Sequence, residues 1–244
     1  MSEVQLREIE LLGKSVEYEI RRSAEASEPR IDVDIHGVTV VVPHSIDTLP
    51  TELLKENALW VLEKQRMYQA YRDEAPKRTF EAGEEFPYLG ETHELVIESR
   101  QSHTVSATDQ HQTIRLRQSA VKQSSVKRAL ENFYRNQARQ HFADRAEQYA
   151  SQMGVEYTQI EIRNQRTRWG SCSPSGTLGL NWRLMMTSPD VIDYIVVHEL
   201  AHLREPNHTQ AFWDLVSEYH PEYVEHAEWL KENSARLIFS KADL

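Results

Sequence analysis

The chain has 244 residues, of which 39% are hydrophobic and 27% charged, a balance that suits a water-soluble fold of one large or two small domains. No apolar run reaches the roughly 20 residues of a membrane helix, and the charged start MSEVQLREIE lacks the apolar stretch of a secretory signal. With a single cysteine, Cys172, an internal disulfide is impossible and the expected compartment is the cytoplasm.

The net charge of −10 works against general attraction to nucleic acid or to an anionic membrane. The charge is uneven. From Ile114 to Arg145 eight basic residues (Arg115, Arg117, Lys122, Lys127, Arg128, Arg135, Arg139, Arg145) face two acids, Glu131 and Asp144, a net of +6 that leaves −16 for the remainder. Such a run is either a solvated helix face or a surface for an anionic substrate or partner.

The first half reads as β-rich. VEYEI, with Val16, Tyr18 and Ile20 alternating, is a strand. In RIDVDIHGVTVVVP, Ile31, Val33 and Ile35 alternate, then Val38, Val40 and Val42, with His36-Gly37 between them, which predicts a hairpin. LPTELLKENALWVLEKQRMYQAYRDE changes period. Leu53, Leu54, Ala58, Trp60, Val61, Leu62, Tyr68 and Tyr71 recur at helical spacing, and Pro76 closes the run. HELVIE, HTVSA and TIRLR are shorter strands, with Gly83 and Gly90 marking turns. No internal repeat or low-complexity linker is evident.

Near Ser119 the period changes from 2 to 3.6. Val126, Leu130, Phe133, Ala138, Phe142, Ala146 and Tyr149 share one face of a long helix that Gly154 ends as a C-cap. This change marks off a β-rich region, 1–118, with one inserted helix, from a second region, 119–244, and the two are either separate domains or one continuous unit. Two further strands, YTQIEIRNQ and TLGLNW, flank RTRWGSCSPSG. TSPDVIDYIVVHELAHL then predicts a helix capped at Thr187 or Ser188, with Pro189 in its first turn. It is apolar almost all round, so it is buried, and its polar residues must be satisfied.

Those polar residues are His198, Glu199 and His202, an H-E-x-x-H motif. Residues four apart lie one turn apart on the same helix face, so both imidazoles can reach one zinc ion. Glu199 sits about 100° round the helix and can reach a metal-activated water without ligating the metal. A third ligand is needed. Pro206 disfavours helix at Glu205, which ends the helix near Leu203 or Arg204. Asn207 tolerates a left-handed turn and can cap the next helix, so His208 returns to the metal.

The stretches TRWGSCSPSGTLGLNWRL (Thr167–Leu184), VIDYIVVHELAHL (Val191–Leu203) and NHTQAFW (Asn207–Trp213) resemble the YgjP-like metallopeptidase family, relatives of the SprT-like zinc peptidases. VVVP and FPYLGETHELVI extend the resemblance more loosely towards the N-terminus. It implies an α+β fold, in which a β-rich N-terminal region precedes a minimal zincin-type domain with a small twisted sheet packed on the motif helix. It also implies a zinc site of His198, His202 and His208 with Glu199 as catalytic carboxylate. The ligand spacing also fits metzincins, but Glu205 stands where that group has glycine, and no methionine follows Met186 for its Met-turn.

The implied reaction is peptide hydrolysis by a zinc-activated water, with Glu199 as general base. Trp169 and Gly170 are candidates to shape a substrate cleft along an edge strand, with core packing the other reading of Trp169. Asn181 and Arg183 are candidates to orient a ligand histidine or bind substrate. Tyr219, His220, Tyr223 and His226 are candidates for the oxyanion donor, Tyr223 also for substrate contact. Cys172 reads as a buried small residue. Phe212 and Trp213 are placed to lock the turn at His208 against the core. Two other functions stay open. Some members of the resembling family carry a nucleoside-triphosphate pyrophosphatase assignment, for which the +6 segment could receive phosphates, although no P-loop motif is present. The other is a partner- or nucleic-acid-associated binding module with conditional proteolysis.

Overall fold

A computed structural model describes residues 6–24, 26–34, 36–44, 50–107, 112–165 and 168–239. Ile35 and Thr167, both part of the sequence patterns above, lie outside the described residues. The protein forms two compact units that divide between Pro76 and Lys77. The change of periodicity at 118 therefore falls inside the second unit. The reason is packing: Phe86, Leu95, Ile114 and Leu116, from the strands before 118, share one core with Leu130, Phe133 and Tyr134 from the long helix after it.

In the first unit, β1 (Leu6–Leu11) and β2 (Lys14–Ser23) form an antiparallel hairpin, β3 (Arg30–Asp34) and β4 (Gly37–Pro43) form another, and β2 runs parallel to β4. The sheet order is β1-β2-β4-β3. The predicted hairpin is thus present, and Asp34 Oδ1 accepts the backbone N–H groups of His36 and Gly37 across its turn. The predicted inserted helix is two helices, α1 (Pro50–Glu56) and α2 (Ala58–Glu74). They break at Asn57, whose side-chain amide donates to Leu53 O at 2.9 Å. A short polar side chain that bonds its own backbone competes with helix continuation. Leu54, Ala58 and Val61 are buried against the sheet, whereas Trp60 stays 41% exposed.

The second unit opens with β5 (Glu85–Tyr88), β6 (Glu91–Glu98), β7 (Thr104–Ala107) and β8 (Gln112–Arg117), in the order β5-β6-β8-β7. This is the arrangement of the first sheet over again: antiparallel, parallel, antiparallel. The first hairpin of each sheet has the same register over four pairs, with the partners shifted by 77, Ile9 opposite Val16 becoming Phe86 opposite His93. Both hairpins turn on a Leu-Gly pair at positive φ, Leu12-Gly13 (49°, 77°) and Leu89-Gly90 (49°, 84°), the two-residue geometry whose twist suits adjoining strands. The protein therefore has an internal structural repeat. The sequence reading overlooked it because only the turn and a few outward positions, such as Glu17 and Glu94, remain alike.

A short helix, α3 (Gln118–Gln123), stops at Ser124. The 28-residue α4 (Val126–Met153) starts afresh with Ser125, whose side chain accepts from Arg128 N, and ends at the left-handed Gly154. β9 (Gln159–Arg163), β10 (Gly170–Cys172) and β11 (Thr177–Asn181) form a small sheet of order β10-β11-β9, with β10 at the edge. The stretch GSC between the two predicted strands is therefore itself a strand, paired antiparallel to β11. After a buried 3-10 turn (Trp182–Met186) come α5 (Pro189–Ala201), α6 (Gln210–Tyr219) and α7 (Tyr223–Asn233). α5 packs on α4 and on β10. The result is the expected α+β architecture, β-rich in its N-terminal part and with a small sheet packed on the motif helix. No helix among the described residues is long and apolar enough to cross a membrane.

Helix α5 is held to α4 by a partly buried ion pair. The Arg145 guanidinium engages both oxygens of Asp193, and the Tyr149 hydroxyl donates to Asp193 Oδ2 at 3.2 Å. Hydrogen bonds to charged groups contribute about 1.5–3 kcal/mol each. Asp193→Asn is therefore expected to lower unfolding free energy by about 2 kcal/mol, measured as a lower urea midpoint at unchanged slope.

Candidate metal centre

Val191, Ile192, Ile195, Val196, Val197, Leu200 and Ala201 bury α5, as its apolar composition predicts. Regular helix stops at Ala201, two residues earlier than Pro206 alone suggests, and a tight turn follows, closed by Arg204 N to Ala201 O at 3.0 Å. Thr209, not Asn207, stands at the N-cap of α6. Asn207 is not left-handed, and its carbonyl instead accepts Thr209 N–H at 2.7 Å. His208 nevertheless returns to α5. One ring nitrogen each of His198, His202 and His208 lies within 4.8 Å of the others, and the Nε2 atoms of His198 and His208 are 3.1 Å apart.

Phe212 supplies the floor. It is fully buried, and its ring lies 4.6–4.9 Å from all three imidazoles. Trp213 stacks on His208 at 5.6 Å and 26°. The apolar pair after His208 thus holds its turn on the core, as the helical spacing suggested.

These residues fit a divalent metal. Two imidazole nitrogens that share a tetrahedral zinc at about 2.05 Å stand roughly 3.3 Å apart, close to the His198–His208 spacing. Burial pushes the His198 pKa down to about 3, with His202 and His208 adding to the effect, and burial also lowers that of His202. Both rings are therefore neutral near pH 7, the form that binds metal. The carbonyl of Glu205 can only accept, so His202 Nδ1 donates to it at 3.3 Å, leaving Nε2 as the available lone pair. His198 Nδ1 is buried with no hydrogen-bond partner, so Nε2 is the ring's one point of polar engagement.

Glu199, 5% exposed, points to the β10 side of the helix. A Cβ built on Gly170 would fall 2.2 Å from Glu199 Oε1. Only a residue without a side chain leaves room for this carboxylate. Burial pushes its pKa up to about 8, opposed by the charge of Arg168, and a divalent ion beside it would pull the value back down. The Cys172 thiol is also raised, by burial and then by Glu199, which places it near the same carboxylate.

The other candidates divide. Asn181, 2% exposed, pins the approach to β10: its amide donates to Gln165 O at 2.7 Å and to Arg168 O at 3.1 Å, and its oxygen accepts Arg183 N–H. The Arg183 side chain bonds Asn164 and lies over Trp182. Trp169 is partly buried against the core. Tyr223 stacks on Trp213 at 5.4 Å and 15°. His220 and His226 bond one another at 2.7 Å, and Tyr219 packs on the core. In the basic run, Arg115, Arg135 and Arg145 pair with Glu98, Glu131 and Asp193. Tyr194 belongs to the apolar run of the motif helix, and the sequence gives it no role at the site. It lies one turn before His198 and sets its ring 5.9 Å from that imidazole, a position the i, i+4 rule could have flagged.

His208→Ala leaves two imidazoles on one helix. The expected result is a loss of zinc affinity of about 100-fold or more, beyond the 10–100-fold that loss of an outer-sphere partner costs. Competition with a chromophoric chelator measures it.

The family model described as "YgjP-like, metallopeptidase domain" matches residues 27–233. No curated protein matches. Two crystal structures are similar over part of the sequence. The metallopeptidase zymogen of Pyrococcus abyssi abylysin is 25% identical, with a TM-score of 0.36 over 39% of this protein and 96% of that one. The metallopeptidase zymogen of Methanocaldococcus jannaschii jannalysin is 23% identical, with a TM-score of 0.35 over 38% and 96%.

Proposed function

Because this protein belongs to the YgjP-like metallopeptidase family, we propose that it is a zinc-dependent peptidase in which His198, His202 and His208 hold the metal and Glu199 is the general base. The observation that carries this reading is the convergence of three imidazole nitrogens within 4.8 Å, next in sequence to a carboxylate seated against the β10 backbone. Three imidazole nitrogen donors suit zinc better than magnesium or calcium, which prefer oxygen. Bound there, zinc would polarise the scissile carbonyl and acidify a water molecule.

The protein supplies the rest. Glu199 takes the water proton on a carboxylate oxygen and returns it to the leaving amine. Strand β10 bonds to β11 on one side and is the edge of its sheet on the other, so an extended peptide can pair with it through backbone hydrogen bonds. Gly170 then contributes twice, as part of that edge and as the space Glu199 occupies. Trp169, next to Gly170, and Tyr223, stacked on Trp213, are the side chains we assign to substrate contact, while Asn181 holds the Gln165 and Arg168 carbonyls before β10.

The test is hydrolysis of an unfolded protein and of nucleoside triphosphates by the zinc-loaded protein, before and after chelation. Peptide cleavage that disappears with chelator and returns with zinc supports the reading. Zinc-dependent release of pyrophosphate without peptide cleavage overturns it in favour of a phosphate hydrolase.

A further inference from the structure

Arg168 is the remaining charged group at the entry to β10. It is exposed, yet the backbone that carries it is fixed. Its own carbonyl takes a hydrogen bond from the buried Asn181 amide at 3.1 Å, and the next carbonyl, that of Trp169, takes Asn181 N–H at 2.9 Å. Its guanidinium makes no hydrogen bond or ion pair among the described residues. Arg21, Arg30, Arg100, Arg115, Arg135 and Arg163, by contrast, have carboxylate partners.

The location gives the group a use. Arg168 lies two residues before Gly170, whose backbone abuts the Glu199 carboxylate, and two extended residues span at most about 7 Å. A peptide laid along the β10 edge would pass it within a residue or two of the bond being cut. An arginine with a fixed base and an unclaimed fork of donors matches a carboxylate in two-point geometry.

We infer that Arg168 is a specificity-determining residue that receives a substrate carboxylate, from an acidic side group or from the C-terminus of the peptide, next to the scissile bond. The inference rests on the peptidase reading above. It gives that reading a substrate class, peptides with a negative charge near the cut.

The experiment uses the full-length zinc-loaded protein and quenched fluorescent peptides identical except for Glu, Gln or Lys at each of the four positions around the cleaved bond. Each peptide is made with a free C-terminal carboxylate and with an amide. The readout is the ratio of kcat/KM for a charged peptide to that for its neutral twin. A ratio cancels any general effect of Arg168 on Glu199 or on folding, and zinc content is measured alongside. The wild type is expected to favour Glu over Gln at one position, or carboxylate over amide, by about 10-fold, the worth of one charge-assisted hydrogen bond. Arg168→Gln should bring that ratio to near one, and Arg168→Glu should invert it in favour of Lys. The position of the preference separates the side-group source from the terminal one. Equal ratios in wild type and Arg168→Gln, with peptides cleaved, overturn the inference and leave the peptidase reading standing. Failure of the zinc-loaded wild type to cleave any peptide overturns both.

Discussion

Glu199→Gln is expected to lower kcat for peptide hydrolysis by about 10²–10⁴-fold, the usual worth of a positioned general base, with zinc content unchanged. The substitution preserves shape and removes the ability to take a proton. The carboxylate lies against Gly170, and the slightly larger amide group fits the same volume. The three imidazoles do not depend on it: His202 is oriented by the Glu205 carbonyl, and His198 and His208 by Phe212 and Trp213. Steady-state cleavage of an unfolded protein, with metal analysis on the same samples, checks the result. Undiminished cleavage by the variant would remove Glu199 from the mechanism.

Gly170→Ala should cost about 100-fold or more in kcat, from a single added methyl group. The new Cβ would stand 2.2 Å from Glu199 Oε1 and 2.6 Å from Cδ, far inside contact distance. Glu199 is the residue that gives way, because β10 is held by its ladder to β11 through Gly170–Leu180 and Ser171–Gly179. A shift of about 1 Å in a catalytic group can cost 10²-fold. The zinc affinity should stay near that of wild type, which separates this effect from damage to the metal ligands. A variant with full activity would show that the carboxylate does not work from the position seen here.

Much of the centre was legible in the sequence because its parts are local. The i, i+4 rule brings His198 and His202 together, and Pro206 forces the backbone to turn before His208. The all-round apolar character of α5 announced burial. What stayed hidden depends on contacts between distant segments. The contact of Gly170 with Glu199 needs β10 laid against α5, which no periodicity encodes. Asn181 looked like a ligand-orienting or substrate residue, and only the folded loop gives it carbonyls to bind. The break at Asn57 turns on one side chain bonding its own backbone, and the cap at Thr209 in place of Asn207 reflects how the turn closes. The compact units divide at Pro76, and strands and helix on either side of residue 118 share one core, a packing that a change of periodicity does not record.

The repeated four-strand arrangement bears on how the protein finds its fold. Two copies of one pairing scheme give β1 two strands to choose from, β2 and β6, and mispairing between like segments is a known route to kinetic traps. The Leu12-Gly13 and Leu89-Gly90 turns decide the choice. Closing a loop of roughly 80 residues in place of two takes about five doublings of length, or about 3 kcal/mol of extra entropy at 0.6 kcal/mol each. Side-chain divergence adds to this. β1 brings Ile9 to the partner Val16, whereas β6 presents at the matching position His93, which is buried against Tyr88 and donates to Glu91 O at 3.1 Å. Each glycine at positive φ therefore keeps its own hairpin from being captured by the other, and replacing either with a β-branched residue should slow refolding more than it lowers final stability.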